Sequence, residues 1–345
     1  MKAKLIKKDR IKGLLISASD QWETYVPLTG LGGDVQFEKI DDEASLDRLT
    51  LDYERMVVPP KDIGFPQLES LFKFKKGEII PTVREQSPKL FFGLRACDLK
   101  GMLFVDDFFR RNFEDIYYLR RAGKRLSVVV VCHTPSTSCF CTSTKTGPYL
   151  EDGFDLQMVD LGEGYLVESG SEEGESFLER YSDFFNEATD REIKESEEEK
   201  QRVADSVTLK INFEGAIRVL GEGALPREIY ERIGERCIFC GGCLYVCPTC
   251  TCFNVFDDIR DDEGARFRNW DACVFEGYTR EAGGNNPRLE KWRRTARRYE
   301  HKLKYDYLAT GMSGCVGCGR CLDSCPVDIG ISKFIQEITE SRKMM

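Results

Sequence analysis

Residues 237–248 read CIFCGGCLYVCP, and residues 315–326 read CVGCGRCLDSCP. Cysteine falls at the same four offsets in both runs, glycine recurs at 241 and 319, and a proline closes each run at 248 and 326. Three cysteines at two-residue gaps let one tight loop present three thiols to a single body. The fourth cysteine lies too far round the following turn to reach that body, so it serves a neighbour. Proline limits the backbone just after this crossing residue. Gly241, Gly242, Gly317 and Gly319 let the chain pass close to whatever the thiols hold.

This is the spacing of bacterial-type two-cluster ferredoxins. It predicts two [4Fe-4S] clusters with crossed ligation. Cys237, Cys240, Cys243 and Cys325 would hold one, and Cys315, Cys318, Cys321 and Cys247 the other. Structural zinc is the competing reading. Zinc takes four ligands in a tetrahedron, usually as two separated pairs. Four cysteines within eleven residues, twice over, is a different pattern.

Working outward, 345 residues leave room for two or three domains. A net charge of −9 gives no general affinity for nucleic acid or anionic membranes. Fifteen cysteines would suggest disulfides in an exported chain, which requires an oxidising compartment. The first nineteen residues begin basic, but their apolar stretch is broken by Lys12, unlike an export signal. The longest strongly apolar run, 126–132, is far too short to span a bilayer and reads as a buried strand. The expectation is a protein of a reducing cytoplasm with its cysteines on iron, and an anaerobic setting suits such oxygen-sensitive groups.

The order of elements predicts an α+β chain. Residues 8–20 read as a short amphipathic helix, and 24–28 and 34–40 as strands. Pro59, Pro60 and Pro66 punctuate an irregular stretch. A strand over 89–94 should lead into a helix with Met102, Leu103, Val105 and Phe109 on its inner face. Strand 127–131 follows, then a hairpin over 154–161 and 164–169. These alternating elements define an N-terminal α/β-type domain, residues 1–170. Residues 171–225 form an acidic helical connector, in which Phe177, Leu178, Tyr181, Phe184, Phe185 and Ala188 fall at helix spacing. Residues 226–345 form a helical, ferredoxin-like domain, with a long insertion between the motifs. That insertion carries Cys250, Cys252, Cys273 and a helix with eight Lys or Arg between 288 and 304. Trp292, Ala296, Tyr299 and Leu303 make its apolar stripe, and a surface helix with a charged outer face is the preferred reading. The alternative is a cover for anionic clusters or a dock for an acidic partner.

Seven cysteines lie outside the two motifs. Cys97 follows the strand at 89–94, Cys132 follows that at 127–131, and Cys139 and Cys141 sit in the next loop. Two readings stand for these four: small buried hydrophobes, or ligands of a third iron–sulfur cluster at converging strand ends. Cys250 and Cys252 are expected to pack beside the clusters, and Cys273 to be structural.

CIFCGGCLYVCPTCTCFNVFD, RFRNWDAC, RRTARRYEHK and GCVGCGRCLDSCPVDI, together with FFGLRACDL and CFCTSTKTGP, resemble one group of anaerobic redox proteins. The group comprises the beta subunits of cytosolic sulfhydrogenases and the A subunits of anaerobic sulfite reductases, and the resemblance spans about residues 55 to 335. It implies an electron-transfer subunit with two [4Fe-4S] clusters. Such a subunit works beside a flavin subunit handling NAD(P)H and a catalytic redox subunit, or exchanges electrons with a soluble ferredoxin.

The chain itself has no nucleotide-binding glycine loop of the usual kinds. It has only two histidines, His133 and His301, too few for a His-based metal or triad site. A non-catalytic relay subunit is therefore expected. The alternative is a reductase subunit with its own iron–sulfur or thiol site for a sulfur compound. Nucleic-acid binding through the basic helix would run against the acidic charge of the chain.

Overall fold

The computed structural model describes residues 3–82, 86–223 and 225–341. Among them are twelve strands: β1 (Ala3–Lys7), β2 (Glu23–Thr29), β3 (Val35–Lys39), β4 (Leu68–Lys75), β5 (Glu78–Pro81) and β6 (Lys89–Leu94) in the first part, then β7 (Arg125–Val130), β8 (Leu156–Asp160), β9 (Gly164–Ser169), β10 (Asn186–Glu187), β11 (Phe253–Arg260) and β12 (Glu263–Trp270). Eight of them form a mixed sheet in the order β10-β1-β9-β8-β7-β6-β2-β3. β2, β6, β7 and β8 run parallel at its centre. Central parallel strands are covered on both faces, and every residue of β6 is buried. Alternate side chains serve the two faces. Leu90, Phe92, Val128 and Val130 join the core with Leu14, Leu15 and Phe177. Phe91, Leu94 and Val129 pack on the other side with Leu99 and Met102 of the Ala96–Arg110 helix.

The elements anticipated at 8–20, 89–94, 127–131 and 154–169 form close to the expected bounds. The acidic segment is less uniform than its spacing suggested. A helix at Glu172–Arg180 ends before β10, which adds an edge strand to β1, and a second helix runs over Asp190–Ser206. Thr189 and Glu192 cap that second helix reciprocally.

The insertion between the motifs contributes β11 and β12. They pair with β4 and β5 from the first half in a second sheet, ordered β11-β12-β4-β5. Helices Phe213–Glu222, Arg227–Arg236, Lys291–Glu300 and Ile331–Ser341 build the C-terminal core around Tyr230, Tyr299, Leu303 and Phe334. The architecture is α+β, with a sheet-rich N-terminal half and a helical half that carries both cysteine runs. No helix among the described residues is long and apolar enough to cross a membrane.

The two halves are pinned together at the cysteine loops. Arg320, beside Cys321, pairs with Asp98 at 2.8 Å, and both side chains are buried. Arg320 Nε also donates to the Met56 carbonyl at 2.6 Å. Gly101 faces Pro248 so closely that a Cβ there would lie 2.6 Å from the proline ring.

Candidate iron–sulfur centres

Each motif folds as a loop closed by a single helical turn, Gly242–Tyr245 in the first and Arg320–Asp323 in the second. The residues before these turns, Gly241 and Gly319, have nearly identical backbones (φ 75°, ψ −10° and φ 75°, ψ −12°). Two positions earlier, Phe239 and Gly317 also match, at φ 57° and 61°. The repeat in the sequence is thus a repeat in conformation.

The loops gather their thiols round two cavities. The first, of about 30 Å³, is lined by Cys237, Cys240, Cys243 and Cys325. The second, of about 20 Å³, is lined by Cys315, Cys318, Cys321 and Cys247. Each fourth cysteine therefore crosses to the other motif's cavity, although Cys321 also borders the first cavity and Cys243 the second. Backbone N–H groups aim at the sulfurs: Phe239 N lies 3.4 Å from Cys237 Sγ, and Ile329 N lies 3.4 Å from Cys325 Sγ. Among the described residues no three Cys, His, Asp or Glu side chains converge on a point that would hold a single ion. The thiols surround a space, an arrangement that suits a larger inorganic group.

Buried cations supply an independent test of that fit. The basic helix turns its 294, 298 and 302 positions inward, so Arg294, Arg298 and Lys302 are buried. This corrects the expectation of a merely charged outer face. The i, i+4, i+8 spacing of these residues beside the apolar stripe was the available signal. Arg298 lines both cavities, its Nε has no hydrogen-bond partner, and it pairs with no carboxylate among the described residues. Lys302 lies in a π turn, His301–Tyr305, a feature frequent at functional sites. Its Nζ is 3.3 Å from Cys247 Sγ, 2.9 Å from Thr249 Oγ1 and 2.8 Å from the Gly314 carbonyl. Uncompensated buried cations are costly; Asp306 acts on Lys302, and an anionic cluster held by thiolates would supply the charge that Arg298 lacks.

Burial raises the thiols of Cys237, Cys243, Cys315, Cys318 and Cys321 above the ordinary cysteine range. Cys247 goes the other way. A hydrogen bond from Cys250, then the charges of Lys302 and Lys61, hold it well below that range despite burial. Cys250 thus packs on a motif cysteine as anticipated. Cys252 meets Cys273 and Tyr278, whose hydrogen bonds hold its thiol down at about 6. Lys61, also buried, lies 4.3 Å above the Trp270 ring and donates to the Cys250 carbonyl.

The N-terminal quartet comes together too. Cys97 and Cys132 stand just past the carboxyl ends of the adjacent parallel strands β6 and β7, and the loop with Cys139 and Cys141 folds over them. All four line one enclosed cavity of about 20 Å³. The histidines stand apart from the cavities. His133 is half exposed, 3.5 Å from Glu199. His301 is 3.3 Å from Asp306, and burial followed by Arg297 and Lys302 holds it down at about 3.

Tyr299 forms part of the wall of the first cavity. It is buried, stacks on Phe334 at 4.3 Å, and donates its hydroxyl to the Ile329 carbonyl at 2.5 Å. Ile329 is the residue whose N–H points at Cys325 Sγ. Tyr299→Phe leaves that carbonyl buried without its donor, so a stability loss of about 1–3 kcal/mol is expected. Denaturant unfolding of the anaerobic protein measures it; an unchanged midpoint would remove Tyr299 from the support of this loop.

The fold and the doubled cysteine loop define an iron–sulfur protein, and a family model described as a 4Fe-4S dicluster domain matches residues 236–329. Across a longer span the chain is 34% identical over 306 residues to the sulfhydrogenase 2 subunit beta of Pyrococcus furiosus, covering 88% of this chain and 89% of that protein. The chain belongs to the sulfhydrogenase beta-subunit family.

Proposed function

We propose that this chain relays single electrons between a partner that handles flavin and NAD(P)H and a catalytic redox subunit, within a cytoplasmic complex of an anaerobe. The observation that carries this reading is the pair of adjoining cavities with exchanged fourth cysteines, and on the wall of both the buried Arg298, which pairs with no carboxylate among the described residues. Cys237, Cys240, Cys243 and Cys325 would hold one [4Fe-4S] cluster, and Cys315, Cys318, Cys321 and Cys247 the second. Bound there, such clusters supply one-electron carriers whose potential the protein sets through charge, hydrogen bonds and burial.

The chain's own residues have matching tasks. Arg298, bordering both cavities, stabilises negative charge in either one. Lys302 favours it chiefly at the second. The second centre's cysteines are buried or half-buried, whereas Cys240 of the first is exposed. The division into residues 1–170, 171–225 and 226–345 belongs to the same reading, with the first part serving as the platform for the cysteine loops.

An open groove of about 860 Å³ runs between the halves, and Cys315 and Val316 form part of its wall. Leu308 and Met312 on its rim are 69% and 44% exposed, so a partner seated there would cover apolar surface and reach the second centre. Lys304 and Arg218 beside them suit an acidic partner face. The Pyrococcus furiosus relative is a sulfhydrogenase subunit, which supports assembly with other subunits.

The test is anaerobic reduction of the isolated chain, followed by EPR and by stoichiometric reoxidation with a one-electron acceptor. The expected result is two interacting [4Fe-4S]⁺ signals, and no reduction of sulfur compounds from an artificial donor until partner subunits are added. Turnover of a sulfur compound by the chain alone would replace the relay with the reductase reading.

A further inference from the structure

The third cysteine cavity repeats the signature of the other two. It has four thiols, the same volume of about 20 Å³ as the second cavity, and a buried cation that forms no ion pair with a carboxylate among the described residues. That cation is Arg95, 1% exposed, on the wall of the cavity. Its guanidinium donates to the backbone carbonyls of Val130 at 3.2 Å, Leu51 at 3.1 Å and Tyr53, while its Nε has no partner. A second guanidinium, that of Arg55, donates to Cys139 Sγ at 3.2 Å and pairs with Asp323. Carbonyl oxygens orient Arg95 but do not cancel its charge, so the site as built calls for an anion among its thiols.

The cavity also adjoins the second centre directly. Cys318 lines both. Arg55 Nη1 bridges Cys139 Sγ and the Cys318 carbonyl, each at 3.2 Å. The Phe140 N–H donates to the Gly317 carbonyl at 2.8 Å. Cys97 and Cys132, supplied from the carboxyl ends of neighbouring parallel strands, sit where open parallel sheets commonly bind ligands. A pair of disulfides is the other chemistry open to four thiols. It would leave Arg95 without a counter-charge and the cavity without an occupant.

We propose that Cys97, Cys132, Cys139 and Cys141 hold a third [4Fe-4S] cluster, placed in line with the second centre and through it with the first. The three sites then form a row: the Cys237 site, the Cys315 site, and the N-terminal site beyond the Cys318–Cys139 contact. The sheet domain becomes a cofactor-bearing end of the row rather than a platform only. The inference extends the two-centre reading, but it fails separately.

The experiment is iron and acid-labile sulfide analysis with EPR spin quantitation on the anaerobically prepared full chain. About twelve irons are expected in the native protein, and about eight in Cys139→Ala/Cys141→Ala, with the two dicluster signals retained. Should that double variant not accumulate, Cys97→Ser and Cys132→Ser taken singly are each expected to alter one EPR signal and leave two unchanged. A native protein with about eight irons overturns the third site and leaves the dicluster intact, whereas clearly fewer than eight overturns the two-centre reading itself. A double variant that keeps about twelve irons, or serine variants whose spectra match the native one, also overturns the third site. Cys252→Ser is the control. A loss of about four irons there would move the extra metal to the Cys250–Cys273 group and defeat the assignment.

Discussion

Lys302→Met is expected to lower the reduction potential of the Cys247–Cys315–Cys318–Cys321 centre by roughly 100 mV, and that of its neighbour by much less. The sign follows from charge. Reduction adds an electron to an anionic group, and a nearby cation favours that added charge, so neutralising the cation disfavours the reduced form. Burial alone would lower the Lys302 ammonium, but the cysteines that face it, Cys247 first, and the Asp306 carboxylate hold it well above the ordinary lysine value. It therefore carries its charge across the whole working pH range. At about 6 Å and an effective dielectric near 20, one unit charge contributes about 2–3 kcal/mol, roughly 100 mV for a one-electron couple.

The fold should survive this substitution. The Gly314 carbonyl that accepts from Lys302 also accepts from Thr249 Oγ1 at 2.5 Å, so methionine leaves no orphaned carbonyl. Methionine also fills a similar volume. EPR-monitored redox titration at unchanged iron content is the measurement, with Lys302→Arg expected to restore most of the shift. Equal shifts at both centres, or none, would mean that Lys302 only packs the loop.

The cysteine loops were readable because their chemistry is local: twelve residues carry four thiols, the glycines that permit the turn, and the proline that ends it. The crossing of Cys247 and Cys325 followed from the reach of a single helical turn. Cys97 and Cys132 were readable as strand ends, because β6 and β7 announce themselves as short β-branched and aromatic runs. What the sequence concealed depends on distance along the chain. The pairing of β4 with β12 joins residues 68–75 to residues 263–270, and no local period encodes a partner so remote. The strand β10 is two residues long and hides inside a segment whose spacing reads as helix. Arg298 and Lys302 were placed outside because charged residues on an amphipathic helix usually are. What they face, Cys243 and Cys321 for Arg298 and Cys247, Cys315 and Asp306 for Lys302, is set by packing that no helical period encodes.

Gly317→Ala is expected to destabilise the protein by about 2–5 kcal/mol and to strip iron from the second centre. Gly317 has φ 61°, a region that costs an L-residue roughly 1–2 kcal/mol. Phe239 occupies the same place in the first motif at φ 57°, so the conformation alone is tolerable. The difference between the two positions is what lies opposite. A Cβ on Gly317 would stand 2.7 Å from the Cys141 Cα and 2.7 Å from the Phe140 carbonyl oxygen, and backbone cannot swing aside as a side chain can. The neighbouring Gly319 meets the Ser138 carbonyl at 2.5 Å in the same way. The second cysteine loop and the Cys139–Cys141 loop are therefore interlocked, and an added methyl must push them apart.

Gly33→Ala separates strain from collision, because Gly33 has φ 81° with nothing within 4 Å of a built Cβ. It should cost only the conformational share, about 1–2 kcal/mol. Denaturant midpoints and iron retention of the two variants, compared side by side, decide the matter. If Gly317→Ala does no more harm than Gly33→Ala, the two loops yield to each other. If it does the expected harm and also perturbs the surroundings of Cys141, one methyl group will have disturbed both halves of the molecule at the point where the structure joins them.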